Sequence, residues 1–576
     1  MKPMNLNRRA IASSVAALCL TCVLSACGSD NEEVPVVAAP PDAEDTALKF
    51  DANAFTTVNV TIDGVATRVR QYRIVYVAKP VKMSLTQVAG NGNSVTLTDP
   101  YVYQTMIVSV PEATLADQKA AIYFAVNNSG WFASAVSTTV TEGRAFVSTT
   151  DSDHIGAALK AGFVVVNAGT RSRGARAEDG RWAGKSPAPV VDSKAAIRYL
   201  RLNDAAMPGS AARIVMNGTS GGGGLTSAVA ASGNSSDYLP FLDEIGAAGV
   251  AGTGASAVST LKDDVFAAVA YCPINNLGNA DAGYESDYST VRSNSNTGAL
   301  NGVAYASGLQ PAASLAIAAT FAPYVASLNL KLDNGSALTA ATLREATQAL
   351  LKEEIERQIA RGTAVPQLGG NFVTTRATLV NDWLTLGGSG TAASVTNLDY
   401  ARFINYVATN QALKTVVAFD AVGVTNNRNA TTGVWNISGE TNLFGSPAFA
   451  YSNFTAWTWT NNQVLGDGSG PDDTGQSWTA YVANSSNNLT LQLKLINPLA
   501  YLNTVADSAP YWYLRHGMVD RDTGFSMQTL LYLAVKNDSQ VKDVSFKLPY
   551  LVPHSGNYDV QEAFTWIKAK LAANPL

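Results

Sequence analysis

The chain has 576 residues and a formal net charge of −5 at pH 7, with 45 acidic against 40 basic residues. This acidic balance argues against nucleic acid as a partner, because nucleic-acid binding needs a basic face. The length exceeds what one compact core usually accommodates, which predicts a large domain with an insertion. Three histidines occur, none at zinc-ligand spacing from another histidine or a cysteine, so we expect no metal and no cofactor.

Residues 1–26 have the pattern of an export signal. Lys2, Arg8 and Arg9 form a positive segment, and an apolar stretch follows from Ala10 to about Leu24. The segment ends in Leu-Ser-Ala-Cys at Cys27, which resembles the lipobox of bacterial lipoproteins. An ordinary signal peptide with a chance cysteine is the alternative.

The lipobox resemblance implies that Cys27 is acylated and becomes the first residue of an exported, lipid-anchored protein. Gly28 rather than an aspartate follows it, which by the same resemblance favours the outer membrane, with the folded part in the periplasm or at the cell surface. We expect membrane contact through this anchor only, because no later segment is long and apolar enough to span a bilayer. Residues 27–48 are acidic and rich in Pro and Ala, which predicts a disordered tether.

From about residue 70 to 275, apolar runs rich in β-branched and aromatic residues alternate with helical stretches. The predicted strands are Tyr72–Ala78, Thr105–Val110, Ala120–Val126, Phe163–Val166, Ile214–Met216 and Val265–Tyr271. Asp192 is predicted to cap a helix through Leu202. This alternation predicts the α/β class, with a mostly parallel sheet covered by helices on both faces.

Residues 276–499 interrupt this pattern and are rich in Asn, Ser, Thr and Gly, which predicts an inserted lid. The lid contains one amphipathic helix at about Thr339–Arg361 and a Trp-rich segment whose indoles either stack on ligands or pack the lid. The α/β pattern resumes with strands at Tyr511–His516 and Val544–Leu548 and helices at Phe525–Val535 and Val560–Leu571. The expected main domain is therefore 49–275 joined to 500–576.

The run Ile214–Met216 leads into a Gly-x-Ser-x-Gly motif centred on Ser220, and a helix of small residues follows. A strand, this motif and a helix in succession are typical of the nucleophile elbow of α/β-hydrolases. Ser220 would project beside a helix N-terminus, which stabilises negative charge. The alternative is a flexible Gly-Ser linker, which the preceding strand disfavours.

A serine nucleophile needs a base, and in this fold the order is Ser, then Asp or Glu, then His. His554 follows the last predicted strand and is the expected base, whereas His154 precedes the nucleophile and His516 comes too early. Asp520 follows the penultimate strand and is the expected acid, with Asp522 in reserve. The alternatives are a surface-loop histidine and aspartates that cap a helix.

An oxyanion hole needs two backbone N–H groups. The first is expected from Gly221, directly after the nucleophile, and the second from the loop after the third strand of the fold. Gly130 and Trp131 are the candidates in that loop. Arg171 and Arg173 lie near the edge of the predicted site and are read as structural.

Four segments resemble the subtype B bacterial tannases and their esterase relatives: Asn217–Gly222, Asp263–Pro273, Arg515–Thr523 and Pro553–Ser555. The resemblance implies an α/β-hydrolase fold and hydrolysis of galloyl esters by a Ser-His-Asp triad, which matches Ser220, Asp520 and His554. It also implies that a lysine and two acidic groups contact the ring hydroxyls; the matching residues are Lys414, Glu440 and Asp522. A long Asn/Thr-rich stretch between Lys414 and Glu440 departs from the family, and exposed lid charges are the alternative for these two.

Three functions are consistent with these residues. The first is a serine esterase acting on small phenolic esters of the galloyl type. The second keeps the fold and changes the substrate to feruloyl esters, acetylated polysaccharide or peptides. The third is a surface lipoprotein that binds polyphenol or glycan on an inactive hydrolase scaffold, which the intact Ser, Asp and His set disfavours.

Overall fold

A ten-stranded sheet organises the computed structural model, which describes residues 43–88, 94–292, 299–300, 303–304, 309–421, 440–461 and 474–576. In spatial order its strands are β20 (Asp543–Lys547), β19 (Tyr511–Arg515), β12 (Ala267–Tyr271), β9 (Ile214–Thr219), β6 (Ile122–Val126), β8 (Val164–Ala168), β5 (Thr105–Pro111), β2 (Val65–Val75), β1 (Thr56–Ile62) and β7 (Ala145–Phe146). Strands β20 to β8 run parallel, and β8, β5, β2 and β1 pair antiparallel. The predicted α/β class with a mostly parallel sheet is confirmed.

Helices cover both faces of this sheet. The described α-helices are α1 (Ala43–Ala47), α2 (His154–Lys160), α3 (Ala188–Leu202), α4 (Gly221–Ala231), α5 (Leu239–Glu244), α6 (Leu277–Tyr288), α7 (Leu309–Ala318), α8 (Phe321–Ser327), α9 (Ala340–Ala360), α10 (Tyr400–Asn410), α11 (Ala456–Thr460), α12 (Trp478–Ala483), α13 (Leu489–Leu495), α14 (Phe525–Asn537) and α15 (Val560–Ala573). Alternate residues of β9 enter different cores: Met216 packs in the cluster with α3 and α4, and Val215 in the cluster with α2 and α15. Because successive strand residues point to opposite faces, both faces of β9 are buried.

The long insertion lies between β12 and β19. The remaining strands pair two by two: β3 (Thr86–Val88) with β4 (Ser94–Thr96), β10 (Val250–Ala251) with β11 (Val258–Ser259), β13 (Ala299–Leu300) with β14 (Val303–Ala304), β15 (Asn371–Val373) with β16 (Thr378–Val380), and β17 (Leu384–Gly387) with β18 (Ser394–Leu398). Among the described residues, none of these pairs joins the large sheet. Residues Asp42–Leu576 form one compact unit, so the division into main domain and lid stays a prediction.

The N-terminal boundary of the folded part differs from the predicted tether. Helix α1 lies within the range expected to be disordered, and Leu48 is buried in the main core. The Asp45 carboxylate accepts a hydrogen bond from the Gly249 amide at 2.7 Å. The tether prediction was therefore too long at its C-terminal end, because residues 43–48 have partners distant in sequence. The signal segment and Cys27 lie outside the described residues, and in the described part of the chain no helix has the length and apolarity needed to cross a membrane.

The predicted cap at Asp192 was wrong. Helix α3 begins four residues earlier, at Ala188, and Asp192 lies fully buried inside it. Its carboxylate accepts hydrogen bonds from the Arg171 backbone and guanidinium at 2.7 to 3.2 Å and from the Gln104 amide at 2.9 Å. Asp192 therefore anchors the segment after β8 to α3, since a buried charge must be paired.

Candidate active site

Ser220 stands in a strained turn between β9 and α4. Its backbone has φ 59° and ψ −123°, a region that L-residues rarely occupy, and its amide donates to the Tyr271 carbonyl at 2.9 Å. A Cβ at Gly218 would lie 2.2 Å from the Gly222 carbonyl oxygen, so that position admits only glycine. The turn is thus held by the neighbouring strand and by the absence of side chains around it, as a nucleophile elbow requires.

Ser220, His554 and Asp520 are joined by two hydrogen bonds. The Ser220 Oγ lies 2.9 Å from His554 Nε2, and His554 Nδ1 lies 2.8 Å from an Asp520 carboxylate oxygen. Asp520 is fully buried, whereas the His554 side chain keeps about a fifth of its surface exposed, at 21%. This is the arrangement in which an imidazole removes the hydroxyl proton while the carboxylate orients the ring.

The surroundings of Asp520 keep it ionised. Burial opposes the charge, but His516 and His554 outweigh it, so the pKa of Asp520 lies below its ordinary value. The Asp522 amide donates to the second carboxylate oxygen at 2.8 Å. Burial disfavours the His554 imidazolium, but the Asp520 charge and hydrogen bond dominate and raise the pKa of His554. The pair is therefore built to accept a proton from Ser220.

Two backbone amides meet beside Ser220. The loop after β6 abuts the start of α4 so closely that a Cβ at Gly221 would lie 2.1 Å from the Trp131 nitrogen. Trp131 N–H is already used, since it donates to the Asn128 carbonyl at 3.0 Å. In the described chain, the amides of Gly221 and Gly130 form no backbone hydrogen bond. The geometry therefore favours Gly130 over Trp131 as the second oxyanion donor, with Gly221 as the first.

Arg173 connects this loop to Glu440 in the predicted lid. Its Nη1 donates to the Gly130 carbonyl at 2.9 Å and lies 3.5 Å from the Glu440 carboxylate, and its guanidinium stacks on the Phe132 ring at 4.1 Å. Glu440 is 5% exposed, which contradicts the alternative of an exposed lid charge. Burial raises the pKa of Glu440, and the charges of Arg173 and Lys414 only partly offset this.

Lys414 lies in the same region as Arg173 and Glu440. Its Nζ lies 4.3 Å from the centre of the Phe419 ring, and the Phe419 carbonyl accepts the Glu440 N–H at 2.9 Å. The Asp281 carboxylate on α6 accepts hydrogen bonds from the amides of Ala418 and Phe419 at 2.6 and 3.0 Å, which ties this segment to α6. The structure thus brings Lys414 and Glu440 together; the stretch 422–438 between them lies outside the described residues.

Asp522 lies near His554, on the side of the imidazole that carries Nδ1. Its carboxylate is 4.0 Å from His554 Nδ1 and pairs with Arg521. It caps no helix, since α14 begins after Gly524, so the capping alternative for Asp522 is not what the structure shows. Of the three residues implied by the resemblance, Asp522 therefore lies beside His554, and Glu440 is linked to the oxyanion loop through Arg173. Lys414 lies close enough to Glu440 for its charge to act on that carboxylate.

Cys272 is a further neighbour of the triad. This free, buried thiol follows β12, with its Sγ 3.9 Å from His554 Nε2 and 3.3 Å from the Ser555 carbonyl. Burial raises the pKa of the thiol, which keeps it protonated beside the base. Because Cys272 follows a strand that pairs with β9, the edge of the sheet brings it to Ser220.

The indoles of the Trp-rich segment were expected either to stack on ligands or to pack the lid, and they have different surroundings in the structure. Trp459 is fully buried and packs against Tyr481 with the ring centroids 4.0 Å apart, so it belongs to the interior of the lid. Trp457 and Trp478 line a cavity of about 510 Å³ that also contacts α6 and does not include Ser220. These indoles are therefore not part of the wall around the nucleophile.

Comparison with known proteins shows which families and structures this chain resembles. A BD-FAE family model matches residues 139–259, which include the elbow, and no curated protein sequence matches the chain. Tannin acyl hydrolase from Lactobacillus plantarum is 28% identical, with a TM-score of 0.67 over 91% of this chain and 99% of that one. The chain has the fold of the bacterial tannases. The Fusobacterium nucleatum tannase is similar too, at 27% identity and a TM-score of 0.67 over 91% and 99% of the two chains.

The tannase resemblance stated from the motifs is confirmed by these neighbours. A structure of tannin acyl hydrolase in complex with ethyl gallate also matches, at 28% identity and a TM-score of 0.67 over 91% of this chain and 99% of that one. Motif reasoning missed the link that Arg173 makes to Gly130 and Glu440. Its only sequence signal was the position of Arg173 after a central strand, at the edge where the site forms.

Proposed function

We propose that the chain is a serine esterase that hydrolyses aromatic carboxylic esters, galloyl esters by preference, through an acyl-enzyme. The observation that carries the proposal is the Ser220–His554–Asp520 relay at 2.9 and 2.8 Å on a nucleophile elbow within a tannase fold. The esterase class agrees with both the tannase neighbours and the BD-FAE match. A relay with this geometry also argues against an inactive binding protein.

The reaction follows from the placement of these groups. Ser220 Oγ attacks the ester carbonyl carbon while His554 Nε2 takes the hydroxyl proton. The carbonyl oxygen becomes an oxyanion between the amides of Gly221 and Gly130. When the carbon–oxygen bond to the alcohol breaks, His554 returns its proton to the alcohol. Water, deprotonated by His554, then attacks the acyl carbon, and the aromatic acid leaves Ser220.

The preference for a galloyl acyl group follows from the charged side chains that the resemblance assigns to the ring hydroxyls. A trihydroxyphenyl ring offers several O–H donors, which carboxylates such as Glu440 and Asp522 accept. The Lys414 ammonium favours a partly ionised phenol. A ring with one hydroxyl and a methoxy group leaves such polar groups unpaired, which costs binding. The ethyl gallate complex of the related hydrolase supports this choice of acyl group.

The test compares methyl gallate with methyl ferulate for the purified protein and Ser220→Ala. We expect gallate release that Ser220→Ala abolishes and that Ser389→Ala, an exposed serine in the lid region, leaves unchanged. Cleavage of ferulate alone would reject the galloyl preference and keep a serine esterase. Cleavage of neither ester would reject the proposed substrate class.

Feruloyl esters are the second candidate, favoured by the BD-FAE match around the elbow. That match ends at residue 259, before the segment that carries Lys414 and Glu440. Hydrolysis of galloyl esters and of feruloyl esters would use the same catalytic centre. The residues that contact the aromatic ring distinguish the two candidate functions. A Glu440→Gln variant that loses gallate hydrolysis and retains ferulate hydrolysis would support galloyl specificity in the wild type.

We also propose that the protein is exported and anchored by a lipid on Cys27, facing the periplasm or the outside of an outer membrane. The basic segment, the apolar stretch and the Leu-Ser-Ala-Cys ending support this proposal. The test is fractionation of the full chain and of Cys27→Ser from a Gram-negative host. We expect the wild type in the outer-membrane fraction, and a Cys27→Ser variant found there equally would contradict anchoring.

A further inference from the structure

His516 is a buried histidine beside the triad that the proposed reaction does not use. It directly follows β19, and its amide donates to the Lys547 carbonyl on the neighbouring strand at 3.2 Å. Its side chain is fully buried. The order of the triad excludes His516 as the base, and the structure places it against the acid instead.

One oxygen of the Asp520 carboxylate faces two imidazoles. His554 Nδ1 lies 2.8 Å from Asp520 Oδ2, and His516 Nδ1 lies 3.4 Å from the same atom. The other oxygen, Oδ1, accepts the Asp522 amide at 2.8 Å. Because Asp520 is fully buried, its charge depends on such nearby donors rather than on water.

The carboxylate decides which nitrogen of His516 carries the proton. Burial lowers the pKa of His516, so the ring is neutral at pH 7 and has a single N–H. A proton on Nε2 would leave the Nδ1 lone pair facing a carboxylate oxygen, which repels it. A proton on Nδ1 points the positive end of the N–H dipole at that oxygen, and the Thr523 hydroxyl, 3.3 Å from Nδ1, is a second acceptor.

The other nitrogen of this ring agrees with that assignment. His516 Nε2 has no hydrogen-bond partner in the described part of the chain. The Phe525 ring meets the imidazole edge-on, with the centroids 5.0 Å apart. A proton on Nε2 would thus be a buried donor without an acceptor among the described residues, which costs free energy. Both ends of the ring therefore select the tautomer with the proton on Nδ1.

The other titratable groups around the two imidazoles are neutral or paired. Burial raises the pKa of three neighbours and keeps them protonated at pH 7, namely the Cys272 thiol and the phenols of Tyr288 and Tyr558. Asp522 lies 4.0 Å from His554 and pairs with Arg521. The Asp520 charge is therefore the one that both rings contact.

We propose that His516 is a positioning residue that acts through Asp520, with its Nδ1–H balancing part of the carboxylate charge so that His554 stays unprotonated closer to neutral pH. Without this N–H, the Asp520 charge would act more fully on His554 and stabilise the imidazolium to higher pH. An imidazolium cannot accept the Ser220 proton. The inference rests on the proposed function, because it concerns the base of the same reaction.

The experiment follows two rates across the pH range in which His554 titrates: kcat/KM for methyl gallate, and inactivation by phenylmethylsulfonyl fluoride, which reacts with Ser220. His516→Leu removes the N–H, whereas His516→Asn keeps an amide N–H at the position of Nδ1. We expect the midpoint of both rates to move to higher pH by about half to one unit in His516→Leu and to stay within about 0.3 unit in His516→Asn. Thr347→Val removes a buried hydroxyl that donates to Thr529 at 2.9 Å and should leave the midpoint unchanged.

An unshifted midpoint in His516→Leu, or an equal shift in His516→Asn, would overturn the inference. The chain has three histidines, so NMR of the imidazole nitrogens of the wild type gives a second test that needs no folded variant. We expect the His516 proton on Nδ1, and a proton on Nε2 would overturn the inference.

The two rates also separate this inference from the proposed function. Inactivation by the sulfonyl fluoride needs no ester substrate. A wild type that is inactivated at Ser220 but cleaves no ester would reject the proposed function, while the midpoints of inactivation still decide the role of His516. A wild type that neither cleaves an ester nor reacts at Ser220 would overturn both.

Discussion

Replacement of Arg173 by methionine tests the link between the oxyanion loop and Glu440. The variant keeps an apolar stem against Phe132 but removes the cation 3.5 Å from a carboxylate that is 5% exposed. Removing one partner of a buried ion pair costs roughly 3–5 kcal/mol. Since burial already raises the pKa of Glu440, the variant can protonate it, and we expect about 3 kcal/mol at pH 7.

The pH dependence of that loss has a definite sign. Without Arg173 the pKa of Glu440 in the folded state rises further above its unfolded value, so the folded variant binds more protons than the unfolded chain. Its stability must then fall as pH rises, and the loss should be larger at pH 8 than at pH 5. Loss of the donor to the Gly130 carbonyl should also reduce kcat, by about 10-fold, a fraction of the 10²–10³ for a whole oxyanion donor.

Urea unfolding of Arg173→Met, Glu440→Gln and the double variant measures this coupling. The double variant should lose less than the sum of the two single losses, by about 1–3 kcal/mol. Arg181→Met breaks the exposed pair with Asp179 and should cost no more than about 1 kcal/mol. Losses that add within about 0.5 kcal/mol, with an unchanged kcat, would refute the link.

Three further predictions concern the base, the elbow and the lid. Asp520→Asn removes the charge that raises the pKa of His554, so the rise of kcat/KM with pH should move to lower pH and kcat should fall about 10⁴-fold; a rise at unchanged pH would contradict this. Gly218→Ala places a Cβ 2.2 Å from a carbonyl oxygen and should cost at least about 3 kcal/mol in urea unfolding, whereas Gly278→Ala, with its nearest atom at 3.4 Å, should be neutral or stabilising. Asp420→Ala leaves buried backbone donors unpaired and should cost at least about 2 kcal/mol. Burial raises the pKa of Asp420 to about 8, so the wild type should lose stability between pH 4 and 8, and an Asp420→Ala variant with the same slope would contradict that assignment.

The elbow and the order of the triad could be predicted because their signals are local. A strand, a glycine-flanked serine and a helix occupy consecutive residues, and His554 follows the last strand. The partner of Asp192 could not be predicted in this way. An aspartate at a helix start looks like a cap, but Arg171 reaches it from another segment and holds it inside α3.

In the lid, too, contacts between residues distant in sequence could not be predicted from the sequence. Sequence alone left Glu440 as either a ligand contact or an exposed charge, because nothing near it in sequence identifies its partner. Its burial depends on Arg173, which is more than 260 residues away, at a separation set by the whole fold. His154 was set aside as the base because it precedes the nucleophile, and in the structure its Nδ1 lies 2.9 Å from the Tyr123 hydroxyl.

The gap between β12 and β19 has a consequence for how the chain folds. These strands pair in parallel although about 240 residues separate them, so Ser220 and Asp520 meet only after a very long loop closes. Loop-closure entropy grows slowly, by about 0.6 kcal/mol for each doubling of length, so the insertion adds little to the equilibrium cost. The insertion should instead slow folding, because strands that are distant in sequence pair late. During refolding, native-like structure around β6 and β9 should precede esterase activity, which must wait for the C-terminal strands to dock.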